Sequence, residues 1–367
     1  MLSLMNAAAR RRLAVRICNK IGGFIMGVSP ADESNFSAVM LGVAYGDSWG
    51  YPNERHSYRR LTLMDLRGPD LPERLTVSDD TQMTLQLARA LDGAAGKSAE
   101  ELQSAILAGW LAWLHDPDMR GYGRTTMKAL RELDFGEPWY RATVVDSDAC
   151  GAVMRVSPCA FLADGLWQPV SAWQAATTHG GPAAIASALL AAAVLRRVIM
   201  ATDPQTMVTD GLLRHAIELS RDEGLVSAAA PWLIDHPRTG TFDLASDLIR
   251  TGMATVREAL QQAQDVTPTF LADPWIADPS LPHYGGEGWR SPQALACGLL
   301  CVDMLPGEPV EALRRAATTG GDSDTIAAIA GYFLGGVYGN VWPSHWLIRL
   351  EPRYAAWITD AEVYVFD

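Results

Sequence analysis

Apolar side chains recur along most of the chain at the spacing of one helix face. The clearest stripes are formed by Thr84, Leu87, Ala88 and Leu91 and by Ile326, Ile329, Ala330, Phe333 and Val337. Further segments follow the same period, namely 99–114, 183–200, 208–220, 244–264 and 291–303. A period of about 3.6 residues is that of an amphipathic helix. Alternating strand patterns are sparse, VYVF at 363–366 being the best of them. The sequence therefore predicts an all-α protein.

Glycine and proline clusters separate the helical segments. The breaks fall at 50–52, 68–69, 116–117 and 136–138, and a long loop with four prolines is predicted over 266–290. No fixed repeat period and no low-complexity linker divides the chain. We therefore expect a single domain over residues 33–367. The N-terminal sequence is basic and rich in alanine and arginine, and it lacks the features of a secretory signal. Residues 1–32 are expected to form a poorly ordered extension.

Glycines crowd the last long helical segment. Gly331, Gly335, Gly336 and Gly339 all fall within it, although each glycine in a helix costs roughly 1 kcal/mol relative to alanine. A compensating contact is expected, and the close approach of a second helix is the simplest one.

Composition and charge narrow the class of protein. Hydrophobic residues make up 49% and charged residues 20% of the chain, and the net charge is −12, which is a globular composition. So acidic a chain repels nucleic acid and anionic membranes, and bulk binding to either is not expected. The alanine-rich run 183–200 is interrupted by Arg196 and Arg197, which indicates a buried helix rather than a membrane span. The five cysteines show no CxxC spacing and are interpreted as reduced thiols of a cytoplasmic protein. We expect the protein to be a monomer.

Two short acidic motifs stand immediately before helical segments. They are VSDDTQMTL, with Asp79 and Asp80, and GGDSDTIAAIAG, with Asp322 and Asp324. Each motif alone is consistent with helix capping, because Ser, Asp and Thr bind the free amides of a helix start. Two carboxylates so close together nevertheless repel each other unless a cation lies between them.

Together the two motifs supply the ligands that a hard divalent cation prefers. They contain four carboxylates and adjacent hydroxyls, without an accompanying His or Cys set, which favours Mg²⁺ over zinc. If the fold brings the motifs together, a site with two ions about 3.5–4 Å apart is the natural result. A third motif, GDSWGYPNE, contains Asp47, which could cap or orient the site, and Glu54, for which an exposed loop carboxylate is the simplest alternative.

Six motifs, in their order along the chain, resemble those of the ADP-ribosylglycohydrolase family. They read GDSWGYPNE, SDDT, GYGRTT, CGAVMRVSP, TTHGGPA and GGDSDTIAAIAG, and the match runs from about Phe36 to Trp346. The resemblance implies an orthogonal multi-helix bundle in which the acidic motifs meet around a central binuclear Mg²⁺ site, with Mn²⁺ as an alternative metal. It also implies a hydrolase of the glycosidic bond between ADP-ribose and an acceptor.

The resemblance further implies roles for individual positions. The implied metal ligands are Ser78, Asp79, Asp80, Asp322, Asp324 and Thr325. The implied catalytic residues are Glu54 and Asp80. The implied contacts with ADP-ribose are Asp118, Gly121, Gly123, Thr125, Cys150, Gly151, Ala152, Met154 and His179.

Several of these positions keep a simpler interpretation. The glycine loop before Thr125 offers backbone amides to a diphosphate, but it is also an ordinary turn. Arg155 suits a structural carboxylate as well as a phosphate, and His179 suits a core hydrogen bond as well as adenosine. Cys150 departs from the family pattern, in which many members carry Asn. The tryptophans late in the chain are interpreted as core residues rather than a lid; they are Trp275, Trp289, Trp342 and Trp346.

Two other functions are compatible with the sequence. One is a catalytically inactive ADP-ribose-binding module, and the other is a metal hydrolase acting on a different nucleoside or phosphoester. The presence of all four motif aspartates favours an enzyme over an inactive relative. The motifs do not identify the acceptor, for which a protein side chain, a nucleic acid and a small molecule are all open.

Overall fold

The computed structural model describes residues 30–92, 94 and 96–360. Most of the extension predicted over residues 1–32, and the strand signal at 363–366, lie outside the described residues. The first described helix, α1, begins at Pro30 and ends at Gly50. α1 therefore runs across the predicted domain boundary, because residues 30–32 belong to the same helix as residues 33–50.

Helices account for all the regular structure of the described residues. After α1 they are α2 (Tyr58–Leu61), α3 (Asp79–Leu91), α4 (Ala99–Leu114), α5 (Arg124–Asp134), α6 (Trp139–Ala142), α7 (Trp167–Ala176), α8 (Pro182–Ile199), α9 (Pro204–Asp210), α10 (Leu212–Leu219), α11 (Glu223–Ala229), α12 (Phe242–Ala272), α13 (Ser291–Asp303), α14 (Pro309–Ala317), α15 (Ser323–Tyr338), α16 (Ser344–Arg349) and α17 (Pro352–Asp360). Pairing between extended segments within these ranges is limited to isolated bridges such as that between Val144 and His179. The all-α prediction is confirmed.

The segment predicted as one helix over 208–220 is two helices. Gly211 separates α9 from α10 with a φ of +92°, a conformation that favours glycine. The first amides of α10 are bound from a distant part of the chain, because the carboxylate of Asp303 accepts hydrogen bonds from the amides of Leu212 and Leu213 at 2.8 and 2.9 Å. The single-helix prediction was wrong because the start of α10 depends on Asp303, about ninety residues away, which a local pattern cannot show.

The helix predicted over 244–264 is longer than expected. α12 spans 31 residues and continues through Pro268, so the loop predicted from residue 266 begins only after Ala272. A proline inside a helix removes one hydrogen bond and usually ends the helix. Here the last turn is held by packing, since Phe270 is fully buried and its ring lies 5.2 Å from that of Tyr284.

A seam of close backbone contacts joins α1 to α15. A Cβ built on Gly42 would lie 2.0 Å from the carbonyl oxygen of Gly331, and one on Gly46 would lie 2.1 Å from that of Ala327. Since the contacting residue numbers rise on one helix as they fall on the other, the two helices are antiparallel. The predicted close helix approach is confirmed for Gly331 and Gly335, which meet the backbone of α1, and for Gly336, which instead meets side chains of α8. It is wrong for Gly339, which follows the end of α15 with a φ of +68°.

The core surrounds this helix pair. α8 is long and apolar enough to cross a membrane, and 78% of its residues are buried within the protein, as in a core helix. Cys297 and Cys301 on α13 are buried and reduced. Trp342 and Trp346 are core residues as predicted, whereas Trp289 is 37% exposed, so the core interpretation was wrong for it.

Candidate active site

The two acidic motifs lie at the starts of two helices. Ser78 caps α3, its hydroxyl accepting a hydrogen bond from the amide of Asp80 at 3.2 Å. Asp322 occupies the corresponding position before α15. A helix start carries unpaired amides and a partial positive charge, and both favour carboxylates. The fold therefore provides two favourable places for acidic residues and brings them together in the protein interior.

Asp47, near the end of α1, connects the helix seam to the first acidic motif. Its carboxylate accepts hydrogen bonds from the amide of Ser78 at 2.9 Å, and from the amide and hydroxyl of Thr81 at 3.1 and 2.5 Å. Oxygen atoms of Asp47, Asp80 and Asp324 all lie within 4.8 Å of one another. Asp47 was not among the residues implied as ligands. The signal was present in the GDSWG motif, but its position beside Asp80 depends on the packing of α1.

The buried carboxylates resist ionisation. Burial raises the pKa of Asp47 to about 6 and that of Asp322 to about 7. Burial is also the main cause of the pKa of Asp80 lying well above its usual value, and the charges of Asp324 and Asp47 raise it further. The pKa values of Asp79 and Asp324 are raised in the same way. A cation in this cluster would offset both the desolvation and the mutual repulsion.

The donor atoms of this cluster suit a divalent cation. Asp80 Oδ1 is buried and has no hydrogen-bond partner among the described residues, which is costly for a carboxylate oxygen unless something positive binds it. Asp80 Oδ2 lies 3.4 Å from the hydroxyl of Thr325. Cys150 brings its Sγ to 2.9 Å from Asp322 Oδ2. Carboxylate and hydroxyl oxygens are the ligands that Mg²⁺ and Mn²⁺ prefer.

Glu54 lies at the rim of the cluster. It follows a 3₁₀ turn over Tyr51–Asn53, and its side chain is 19% exposed, with Oε1 3.0 Å from Nε of Arg55. Gly50, the residue before this turn, lies against the second motif, because a Cβ built on it would meet the amide nitrogen of Asp324 at 2.5 Å. Besides burial and Asp322, the charge of Glu54 contributes to the raised pKa of Asp324. Glu54 is thus an accessible carboxylate within electrostatic reach of the buried ones.

The glycine loop lies against the first motif. A Cβ built on Gly121, which has a φ of +72°, would lie 2.5 Å from Asp79 Oδ1. Gly123 precedes α5, so the unpaired amides at the start of this helix lie at the end of the loop. The hydroxyl of Thr125 is 2.9 Å from that of Ser147. This backbone is suited to an anionic group next to the acidic cluster.

His179 is held as a neutral donor beside Gly151. A Cβ built on Gly151 would lie 3.0 Å from His179 Nε2, so only glycine leaves this space open. Arg155 donates to the hydroxyl of Thr178 at 2.8 Å, and this hydroxyl is 2.8 Å from His179 Nδ1. Since arginine only donates, the hydroxyl proton is available to Nδ1, which leaves a proton on Nε2. Burial keeps the pKa of His179 well below its usual value.

Among the described residues Arg155 pairs with no carboxylate, and its hydrogen bonds go to neutral groups; its contact with a phosphate stays a prediction. It is fully buried and donates to the side chain and carbonyl of Gln174 at 2.8 and 2.9 Å. Its guanidinium lies 4.2 Å from the ring centre of Trp110. Burial lowers the pKa of Arg155 to about 9.

Three of the implied substrate contacts are occupied by the protein. The carboxylate of Asp118 accepts hydrogen bonds from Arg120 at 2.6 Å and from the hydroxyl of Tyr354 at 2.7 Å. The side chains of Ala152 and Met154 are buried in the core. Their contact with a ligand stays a prediction, and for Ala152 and Met154 it would have to involve the backbone.

Comparison with known proteins identifies the family and the fold of this chain. A family model described as ADP-ribosylglycohydrolase matches residues 29–365. The chain is 24% identical to an uncharacterized protein of Archaeoglobus fulgidus over 331 residues, covering 88% of this chain and 93% of that protein. It is also 24% identical to the human ADP-ribosylhydrolase ARH3 over 337 residues, covering 83% and 86% of the two chains. A solved structure described as an ADP-ribosylglycohydrolase-related protein complex shares the fold, with a TM-score of 0.55, 21% identity, and coverage of 91% of this chain and 99% of the other. Because the family model spans nearly its whole length, this chain belongs to the ADP-ribosylglycohydrolase family.

Proposed function

We propose that this protein is a divalent-metal-dependent hydrolase that cleaves the glycosidic bond between ADP-ribose and an acceptor and releases ADP-ribose. Family membership supports the class of reaction. The observation that carries the proposal is the convergence of Asp47, Asp80 and Asp324, whose oxygens lie within 4.8 Å in the protein interior. When its carboxylates are ionised, such a cluster destabilises the fold unless it binds a cation.

The residues that would hold the cation divide into ligands and supports. Asp80 has one unpartnered oxygen, its other oxygen lies 3.4 Å from the hydroxyl of Thr325, and Asp324 belongs to the same cluster. These residues are the ligands we expect, together with Ser78, Asp79 and Asp322. The oxygens of Asp47 already accept hydrogen bonds from the start of α3, so Asp47 holds the motif in place. Two Mg²⁺ ions, or Mn²⁺ in their place, are the expected occupants. Bound there, the metal would act as a Lewis acid that orients the ribose hydroxyls and activates water.

Glu54 and Asp80 act on the ribose in this proposal. Glycoside cleavage passes through an oxocarbenium-like transition state, which nearby carboxylates such as Asp80 stabilise. Glu54 is accessible at the rim, so its Oε atoms can accept a proton from the attacking water or deliver one to the leaving group. Nε of Arg55 lies 3.0 Å from Oε1 and pairs with this carboxylate.

The neighbouring loop and His179 bind the remainder of ADP-ribose in this proposal. The glycine loop places Gly121 against Asp79 and presents the amides at the start of α5, which suits a diphosphate. His179 contributes a neutral N–H at Nε2 next to Gly151. ADP-ribose would then extend from the acidic cluster towards His179.

Product analysis tests the proposed function. The purified protein is incubated with a panel of ADP-ribosylated peptides, nucleic acids and small molecules, with Mg²⁺ or after chelation. We expect free ADP-ribose in the presence of Mg²⁺ and none after chelation. Release of inorganic phosphate without ADP-ribose, or full turnover after exhaustive chelation, would contradict the proposal.

A Glu54→Gln variant tests the role of Glu54. Loss of the ionisable group should lower kcat by about 10²–10⁴-fold, as for other general acid–base residues, while the metal affinity changes little. Glu137→Gln is the matched control, since the side chain of Glu137 is 43% exposed and pairs with Arg141 at 3.7 Å, away from the cluster. Full turnover by Glu54→Gln would exclude this residue from proton transfer.

A further inference from the structure

A thiol lies within the acidic cluster. Cys150 Sγ is 2.9 Å from Asp322 Oδ2 and 4.0 Å from the hydroxyl of Thr325. The backbone of Cys150 is anchored, because its amide donates to the carbonyl of Trp289 at 3.1 Å and the residue begins a 3₁₀ turn. The anchored backbone therefore keeps the sulfur in the cluster, whereas the thiol of a surface residue could move freely.

The separation of sulfur and oxygen is close to that of two ligands on one cation. Zinc binds thiolate sulfur at about 2.3 Å and carboxylate oxygen at about 2.0–2.2 Å, which places adjacent ligands roughly 3.0–3.6 Å apart. The observed 2.9 Å between Sγ and Asp322 Oδ2 is just below this range. A small movement of either side chain would bring the separation of sulfur and oxygen into the range expected for two ligands of one cation.

A second observation points to a cation at the same place. Asp80 is 2% exposed, and its Oδ1 has no partner among the described residues. Its other oxygen lies 3.4 Å from the hydroxyl of Thr325, and that hydroxyl lies 4.0 Å from Cys150 Sγ. An unpartnered buried carboxylate oxygen thus accompanies the thiol.

We propose that Cys150 is a metal ligand and that the centre therefore also binds a thiophilic divalent cation, such as Zn²⁺, Co²⁺ or Cd²⁺, through a thiolate–carboxylate set. This inference depends on the acidic cluster being the metal centre of the proposed function. On binding, the S–H bond of Cys150 breaks, its proton passes to the buffer and a sulfur–metal bond forms, with no change of oxidation state. Mg²⁺, which prefers oxygen ligands, leaves the thiol protonated.

Cobalt(II) provides a readout that is independent of activity. The metal-free, full-length protein is titrated with Co²⁺, and we expect a near-ultraviolet thiolate-to-cobalt charge-transfer band that saturates at one equivalent. Cys150→Ser and Cys150→Asn should both lose the band, while circular dichroism reports whether they fold. Cys18→Ser and Cys297→Ala each remove another thiol and retain Cys150. These control variants should keep the band.

Calorimetry with Zn²⁺ and Mg²⁺ gives a second readout. Loss of a direct thiolate ligand should weaken Zn²⁺ binding by about 100-fold or more, since even the outer partners of metal ligands contribute 10–100-fold. Mg²⁺ affinity should change much less in the same variants. An equal loss for the two metals would indicate a purely structural role for Cys150 and overturn the inference.

The outcomes separate this inference from the proposed function. If the wild-type protein shows no band, or if Cys150→Ser retains it, Cys150 is not a ligand, whether or not ADP-ribose is released. If the band depends on Cys150 as expected but no ADP-ribosylated substrate is cleaved with Mg²⁺, the ligand assignment stands and the hydrolase proposal fails.

Discussion

Replacing Gly331 by alanine tests whether the seam between α1 and α15 positions the acidic cluster. A Cβ at this position would lie 2.0 Å from the carbonyl oxygen of Gly42, whereas ordinary contacts begin at 3.4 Å. Relief of the clash requires a displacement of 1.4 Å, the difference between these two distances. The obstructing atom belongs to a helix backbone, so it cannot rotate away as a side chain could.

The magnitude follows from two opposing effects. Alanine in place of glycine within a helix stabilises by about 1 kcal/mol. Overpacking of a tight core typically costs about 1–3 kcal/mol, and the backbone clash at Gly331 favours the upper end. We therefore expect the free energy of unfolding to fall by about 1–2 kcal/mol.

The same displacement should reach the metal centre. α1 carries Asp47 and α15 carries Asp324, and the seam extends to Gly50, whose added Cβ would meet the amide of Asp324 at 2.5 Å. Metal–ligand distances tolerate only about 0.2 Å, so a separation of the helices should weaken Mg²⁺ binding by about tenfold or more.

Denaturant unfolding and calorimetric titration with Mg²⁺ measure the two effects. Gly109→Ala is the matched control, because Gly109 lies within α4 and a Cβ there would find its nearest atom at 3.4 Å. This control should be unchanged or more stable by up to about 1 kcal/mol, with unaltered Mg²⁺ affinity. If Gly331→Ala were as stable as wild type and bound Mg²⁺ equally well, the seam would not be what positions the carboxylates.

Two further predictions concern the carboxylates. Asp324→Asn should lower activity by at least about 100-fold, given that weaker perturbations of metal sites cost 10–100-fold. The same variant should unfold at a higher temperature than wild type when both are chelated, because it removes one buried charge that repels its neighbours. The chelated wild-type protein should be most stable near pH 4 and lose stability as the pH rises through about 6 to 7. The sign follows because burial raises the pKa of Asp47 to about 6 and that of Asp322 to about 7, so the folded state binds these protons more tightly than the unfolded chain. Saturating Mg²⁺ should reverse this loss at pH 8; a pH-independent stability of the chelated protein would contradict the reasoning.

The helices could largely be predicted from the sequence because their apolar stripes are local and long. The helix start at Asp79 and the glycine seam of α15 were both readable in this way. The split at Gly211 and the continuation of α12 through Pro268 were not. Both depend on partners remote in sequence, namely the carboxylate of Asp303 and the ring of Tyr284.

The site shows the same division between local and remote information. The motifs identified the acidic residues at the starts of α3 and α15, since the chemistry of a helix start is local. The GDSWG motif suggested that Asp47 could cap or orient the site, but its partners, the amides of Ser78 and Thr81, depend on the antiparallel packing of α1 and are not encoded locally. The hydrogen-bond chain from Arg155 to His179 was equally hidden, because a buried arginine without a carboxylate is an unusual arrangement.

The glycine seam and the acidic cluster have opposite effects on the stability of the same helix pair. Close packing of α1 on α15 buries apolar surface and stabilises the fold, and it also forces Asp47 and Asp324 into a region from which water is excluded. Packing alone cannot relieve that repulsion, because separating the carboxylates would open the seam. A cation that binds the folded state and not the unfolded chain relieves the repulsion between the carboxylates. Its binding adds RT ln(1 + [L]/Kd) to the free energy of unfolding. The metal-dependent gain in stability should therefore be largest at the ends of the seam, at the start of α15 and the end of α1, where amide hydrogen exchange should slow most when Mg²⁺ is added.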